Sequence, residues 1–386
     1  MMAKYHRHFV KRIAIRCGAL AFVISSVPAP AATPFETMRM RGDEYVAVVS
    51  GGYTGEVLFF GVRSLTTYQA VKVEGHTDEV VVSPADGCVY VTDGKQSLIR
   101  VIDASNAEVR GKVFLPKGTG LPHVAVSRDG EVLYVADELT GSVFRIQTRR
   151  GVYQVGSTAA YGSRFQSIAL TNDGQRLLVA DYGQARIVVV GTNPFGPLAD
   201  IPLDDGFPLR ISIPANDKFA LVTDELLGRV SVLDLAHSVI SVKLPVQPGA
   251  VDTVIAPDGK SAYVSVWPRR AVFQIDLEAF RSKPMTSLPF PPGALDVSPD
   301  GRYLVVAERL AALEHLIPRS RSVGIALVDT GTGTIVQTAE VVGDPHAVRF
   351  LNPHLTDLTE GHQQPACPGF RNGEWARITT DGEQHA

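Results

Sequence analysis

Along most of this chain, short apolar runs alternate with polar positions and are bounded by Gly, Pro, Asn or Asp, the pattern of half-buried β-strands. One unit recurs: an apolar run, a Ser-Pro-Asp-Gly-type turn, a second run ending in Tyr/Leu-Val-x-Asp, and a third apolar run. The turns are Ser83-Pro84-Ala85-Asp86-Gly87, Ser127-Arg128-Asp129-Gly130, Thr171-Asn172-Asp173-Gly174, Pro214-Ala215-Asn216-Asp217, Ala256-Pro257-Asp258-Gly259 and Ser298-Pro299-Asp300-Gly301. Asp-Gly between β runs predicts type I′ hairpins, with positive φ at both central residues.

The second runs anchor at Tyr45, Tyr90, Tyr134, Leu178, Leu221, Tyr263 and Leu304, spaced by 45, 44, 44, 43, 42 and 41 residues. Seven units of this length, each with room for four short strands, predict an all-β fold: a seven-bladed β-propeller of four-stranded antiparallel blades. The β-branched, period-2 runs exclude a helical solenoid, and the lack of helical segments between strands excludes a Rossmann-like fold. Innermost strands fall at residues 79–83, 123–127, 166–170, 209–213, 251–255 and 294–298. A seventh, residues 345–350, lies near the C-terminus, whereas the anchor it must serve, Tyr45, lies near the N-terminus. The ring is therefore expected to close with strands from both termini, which ties off exposed sheet edges.

Runs such as Val89-Tyr90-Val91-Thr92-Asp93 and Leu133-Tyr134-Val135-Ala136-Asp137, each shortly after a turn of this type, resemble the YVTN-repeat β-propeller family. The resemblance covers nearly all of the chain after residue 31. It implies an exported seven-bladed propeller with a binding or surface role more often than a defined reaction, related to the propellers of amine dehydrogenases and cytochrome d1 proteins.

Residues 1–31 read as a secretory leader. Lys4, Arg7, Lys11, Arg12 and Arg16 precede an apolar run from Gly18 to Val27, and Ala29-Pro30-Ala31 follows as an A-x-A cleavage pattern. The run is too short for a bilayer core of about 30 Å. Export to the periplasm or beyond, with cleavage near Ala31, is the expectation, with the propeller at residues 32–352 and no membrane span in the mature chain. The formal charge of −3 then shifts: the leader holds five of the 37 Lys and Arg and none of the 40 Asp and Glu, so the rest carries about −8. A protein this acidic is a poor general polyanion binder, which disfavours nucleic acid as a partner.

Three cysteines exclude a disulfide scaffold or a multi-cysteine metal cluster. Cys88 follows a first-to-second-strand turn, and Cys367 stands in the polar tail, residues 353–386. A Cys88–Cys367 disulfide pinning that tail across the closure seam is expected, against a free buried Cys88 and a loose tail.

Propellers bind ligands at one channel mouth, so the candidate chemistry is what each blade presents there. Aligned, the innermost strands offer Glu79, His123, Ser167, Arg210, Asp252, Ala294 and Ala347, with Asp296 and Arg349 one step further along the same face. Arg210 and His123 could supply donors and Glu79 or Asp252 a base; the alternative is a solvated mouth whose charges pair among themselves, Asp296 with Arg349 for example. Trp267, Tyr182, Phe165 and Phe207 are read as loop aromatics of the same face, and His346 as one of four histidines, with His76, His123 and His315, that reach it. These four histidines come from different loops and form no H-x-H or H-E-x-x-H motif, so no metal is expected. No C-x-x-C-H motif or other cofactor signature is present, and no cofactor is expected. Asp93, Asp137, Asp181 and Asp224 recur at second-strand ends, where Asp caps the following turn. A long connection at residues 308–321, with Leu310, Leu313, Leu316 and Ile317 at helical spacing, could cover the mouth or pack against a neighbouring loop.

No nucleophile stands at a recognisable spacing from a base and its orienter. The sequence therefore favours a monomeric exported binding protein that engages a small polar or anionic ligand, or a protein partner, through Glu79, His123, Ser167, Arg210, Asp252, Trp267 and His346. The alternatives are a lactonase-like hydrolase using Glu79, His123 and Arg210, or an accessory propeller subunit of a periplasmic redox enzyme.

Overall fold

The computed structural model describes residues 45–116, 120–148, 154–204, 206–309, 322–351, 367 and 376–377. The leader, the 310–321 part of the long connection, and the tail apart from Cys367 and residues 376–377 lie outside the described residues. The chain forms seven blades of four antiparallel strands set in a ring, a β-propeller. The helical elements among the described residues are single 3-10 turns at Tyr182–Gln184 and Trp267–Arg269.

In chain order the closing blade holds β1 (Val46–Ser50), β2 (Glu56–Gly61) and β3 (Thr66–Lys72). The innermost strands of the next six blades are β4 (Val80–Val82), β8 (Pro122–Val126), β12 (Phe165–Leu170), β16 (Pro208–Ser212), β20 (Ala250–Ile255) and β24 (Pro292–Val297). The seventh, β28 (Val348–Phe350), comes from the far end of the chain and pairs antiparallel with β1, Val48 opposite Arg349. Closure by strands from both ends of the ring is thus built as a continuous sheet, β28-β1-β2-β3.

Alternation explains why the second strand of each blade is almost wholly apolar. In β1, Ala47 and Val49 pack with Val305, Ile325 and Leu327 of one neighbour, while Val46 and Val48 pack with Val80, Val89 and Val91 of the other. Both faces of the strand are buried, so both registers of the period-2 pattern must be hydrophobic. Seven such clusters fill the gaps between blades.

The Asp-Gly turns differ from the type I′ expectation. Gly130, Gly174, Gly259 and Gly301 take positive φ (72°, 71°, 68° and 75°), but the Asp before each does not. The glycine N–H donates to the carbonyl three residues back, as Gly130 N does to Ser127 O at 2.9 Å. This is a type I turn with glycine at its fourth position, and the Asp instead accepts the N–H two residues on, as Asp129 does from Glu131.

The strand-end aspartates are structural caps. Asp137 Oδ1 accepts from Leu139 N and Thr140 N, and its Oδ2 accepts from Gly120 N in the loop that leads into β8. Asp93 binds Gln96 N and His76 N in the same way and is bridged by Arg100, both side chains being fully buried. The carboxylates of Asp93, Asp137 and Asp181 thus tie the turn leaving the strand to the loop entering the blade, which fixes loops that form the mouth, while Asp224 caps Leu227 N.

Cys88 opens β5 (Cys88–Asp93) and is disulfide-bonded to Cys367, with a Cα–Cα distance of 4.9 Å. Both cysteines sit in the cluster with Tyr90, Val124, Leu133 and Phe144, the gap facing the β8 blade rather than the one facing the closing blade. The bond therefore anchors the tail one gap beyond the closure seam. Further along, β29 (Ala376–Arg377) pairs parallel with the outer strand β7 (Glu108–Phe114), giving that blade a fifth strand. A bond spanning 279 residues restricts the unfolded chain strongly, and its removal by Cys88→Ala/Cys367→Ala should cost about 2–5 kcal/mol in urea unfolding. An unchanged midpoint would show that the tail contributes nothing to the ring.

Candidate functional site

The mouth residues are held first by their own backbone. The N–H groups of Glu79, Arg210, Asp252 and Ala347 donate to hydroxyls on the adjacent second strands: Thr92, Thr223, Ser265 and Ser50, at 2.9, 3.0, 3.1 and 2.9 Å. In the Arg210 and Asp252 blades the strand pairing slips at this point. The hydroxyl takes the N–H that the slip frees.

Their side chains then bridge blades. Glu79 Oε2 accepts from Val124 N at 3.2 Å, Ser167 Oγ from Ile211 N at 3.3 Å, and Asp252 Oδ2 from Leu295 N at 3.2 Å. One level deeper, Asp296 Oδ2 accepts from Phe350 N at 2.8 Å. Acceptors on one blade thus satisfy the channel-facing N–H groups of the next. His123 and Arg210, at intervening blades, are the cationic members: Arg210 Nη1 lies 3.1 Å from Glu79 Oε1, Arg210 Nε 3.8 Å from Asp252 Oδ1, and His123 Nδ1 3.4 Å from Glu79 Oε2. The His123 contact has ion-pair distance without hydrogen-bond alignment; neither ring nitrogen has a hydrogen-bond partner, although the residue is only 4% exposed.

Glu79, His123, Arg210 and His346 come together on a cavity of about 190 Å³, walled also by Asp78, Gln166, Arg309 and Asp344. Ser167 and Asp252 stand behind that wall, committed to neighbouring blades, and Trp267 lies outside the lining in the Trp267–Arg269 turn. Phe165 is not a loop aromatic: it begins β12 and is fully buried, because its ring completes the gap against Ala136 and Val143. Tyr182 and Phe207 pack on each other, ring centroids 5.1 Å apart, with Arg164 over Tyr182.

Aligning one position per blade overlooked Asp78 and Asp344. His76 Nδ1 is 2.6 Å from Asp78 Oδ1, and His346 reaches Asp344 Oδ2 through Nε2 at 3.0 Å and Asp78 Oδ1 through Nδ1 at 3.8 Å. The visible signal was the His76-Thr77-Asp78 and Asp344-Pro345-His346 spacing, which sets an imidazole beside a carboxylate. Arg309, at the start of the long connection, pairs with Glu225 at 3.2 Å, two blades away. Among the described residues, no group of three or more His, Cys, Asp or Glu is arranged to hold a metal ion.

Burial alone would push the Glu79 carboxyl up, but the His123 contact and the charges of Arg210, His123 and Arg349 outweigh it and hold it at about 2. For Asp296 burial wins: despite Arg349 and two backbone N–H donors, its carboxyl rises to about 6, with Asp252 adding to the push. The two carboxyls of one channel are driven apart by their surroundings.

No family model matches the chain. Antigen Lp49 of Leptospira interrogans is 23% identical over 282 residues, 68% of this chain and 52% of that protein. The chain spans about half the length of the curated relative it matches. Among solved structures, hydrazine synthase of Kuenenia stuttgartiensis aligns with a TM-score of 0.60 at 18% identity over 70% of this chain and 88% of that one. A putative 6-phosphogluconolactonase of Bacteroides fragilis aligns at 0.64 and 17%, over 80% and 99%. A Lactobacillus plantarum protein aligns at 0.65 and 19%, over 80% and 100%. At these identities the likeness is one of fold.

Opposite pH dependences follow from the two carboxyls. The folded Asp296 keeps a proton between its ordinary value of 3.8 and about 6, so its stabilising contribution is complete below that window and lost as pH rises through it. Glu79 is held below its ordinary 4.5, so its contribution is present above that value and lost as pH falls toward 2. Urea unfolding of Asp296→Asn should show a flatter pH profile than the parent between about pH 4 and 7; identical slopes would contradict the assignment.

Proposed function

We propose that this chain is an exported propeller of the YVTN-repeat kind that binds a small polar ligand carrying an anionic group at the channel mouth. The observation that carries the reading is the Glu79–His123–Arg210 set on the cavity wall. There a buried carboxylate lies 3.4 Å from a nine-tenths-buried imidazole, neither ring nitrogen of which is hydrogen-bonded, and pairs with an arginine whose side chain is 21% exposed. The cavity of about 190 Å³ suits a compact molecule such as a hydroxy acid or the charged end of a sugar acid. Guanidinium and imidazole donors match carboxylate and phosphate oxygens, and the surrounding acids restrict the site to ligands that also offer hydroxyl donors.

Export is supported by the basic, apolar and A-x-A order of residues 1–31 and by the Cys88–Cys367 disulfide, a bond that persists in oxidising compartments. The protein acts as a monomer in this reading.

A hydrolytic role is the second reading, favoured by the carboxylate-backed His123 and by the same cavity that would seat a lactone. It makes Glu79 the orienting group, His123 the base toward water, and Arg210 the donor to the carbonyl oxygen.

Titration with citrate, succinate and 6-phosphogluconate, followed by calorimetry and thermal shift, tests the binding reading. At least one should bind the parent protein, and Arg210→Gln should weaken it about tenfold or more, since a charge-assisted hydrogen bond contributes about 1.5–3 kcal/mol. Binding that is indifferent to Arg210→Gln, or none of the three binding, would overturn it. Turnover of a δ-lactone that disappears in His123→Gln would establish the hydrolytic reading instead.

A further inference from the structure

Three imidazoles gather at this mouth, and each faces a carboxylate: His76 and His346 share Asp78, His346 also meets Asp344, and His123 meets Glu79. The rings of His76 and His346 are 5.5 Å apart and both edge onto Tyr53, over which Lys95 sits at 4.3 Å. Such imidazoles change charge within the range where few other side chains do.

The charges on the cavity wall make that change decisive. Asp78, Glu79 and Asp344 stand against Arg210 and Arg309, with His123 and His346 as the titrating members. Neutral imidazoles leave the wall at −1; two protonated imidazoles bring it to +1. Behind the wall, Asp252 on Arg210 and Glu225 on Arg309 are matched by Arg349, which faces Glu79 and Asp252 from β28, and by Lys95. Asp296, which also faces Arg349, has a carboxyl at about 6 and loses its proton over the same range, shifting the charge behind the wall in the same direction. On the wall itself the sign is set by the histidines.

We infer that the mouth is a proton-gated anion site: it takes a small oxyanion when His123 and His346 are protonated and releases it when they are neutral. The inference rests on the binding reading above. Glu79 gives it a mechanism, because this one carboxylate is shared between His123 and Arg210. A proton on His123 supplies Glu79 with a full second counter-charge, and the guanidinium of Arg210 is then free to turn toward an oxyanion in the cavity. Protonated His346, seated between Asp78 and Asp344, adds its charge from the opposite wall. Ligand uptake would draw in protons, so each promotes the other.

Sulfate is the suitable probe, because it stays a dianion across the histidine range and contributes no titration of its own. Calorimetric titration at constant ionic strength should show sulfate binding at about pH 5.5 at least tenfold tighter than at about pH 8, a difference that two added charges near the ligand readily supply. Proton uptake should appear as a dependence of the binding enthalpy on buffer ionisation. His123→Gln and His346→Gln should each flatten the pH profile, and His346→Gln, at the more exposed position, keeps the test open should the buried substitution unfold the protein. Equal affinity at both pH values, with binding still lost in Arg210→Gln, would overturn the gating and leave the binding site. Sulfate binding at neither pH would overturn the gating, and a carboxylate or phosphate ligand that still needed Arg210 would show that the binding reading survives it.

Discussion

In a ring of blades, the innermost strand of each blade has a sheet partner on one side only. Its other edge faces the channel, where backbone N–H groups have no strand to bond and an orphaned donor is costly. This protein meets that constraint with side chains of the neighbouring blade: Glu79 for Val124, Ser167 for Ile211, Asp252 for Leu295 and Asp296 for Phe350. The bonds run in one direction around the ring and stitch four of its seven joints. Polar residues are therefore required at the mouth by the architecture before any ligand is considered. Their number exceeds what stitching needs, since His123 and Arg210 accept nothing from a backbone and serve only the carboxylates beside them.

Closure repeats the same logic where the chain ends meet. Phe350 N is held by Asp296, Arg349 lies among Asp252, Asp296 and Glu79, and the N–H groups of His346 and Ala347 both donate to Ser50 across the joint. The last innermost strand is short, three residues, and its security comes from these side-chain bonds as much as from its pairing with β1. The disulfide acts elsewhere, sealing the gap between the next two blades with Cys367. Seam and mouth share residues, which places ligand contacts on the segment that completes the fold.

The architecture was legible because it follows from local rules. A strand buried on both faces must be apolar at every position, so the Tyr90 and Tyr134 runs announced themselves, and a turn with positive φ at its fourth position recurs, with glycine there at Gly130, Gly174, Gly259 and Gly301 and Asp217 in another copy. The turn type was misread, because Asp-Gly serves both type I′ and type I turns and the choice depends on one further residue in the loop. At the mouth, alignment by blade found Glu79, His123 and Arg210. It could not separate them from Ser167 and Asp252, whose side chains are consumed by the next blade, since that bond depends on inter-blade geometry absent from any local pattern. Phe165 was misplaced for the same reason. Asp78 and Asp344 were overlooked although each sits two residues from a histidine, because their role arises from loops that meet only once the ring is closed.

The stitching of blade to blade can be read directly by native-state hydrogen exchange resolved to single amides. Asp252→Ala removes one acceptor and leaves the blade cores intact. The Leu295 amide should then lose protection by about tenfold or more, consistent with a lost bond of about 1.5 kcal/mol, while Val124 and Ile211, held by Glu79 and Ser167, keep theirs. Unchanged protection at Leu295 would contradict the account, because the channel-facing N–H would then be satisfied without its neighbour.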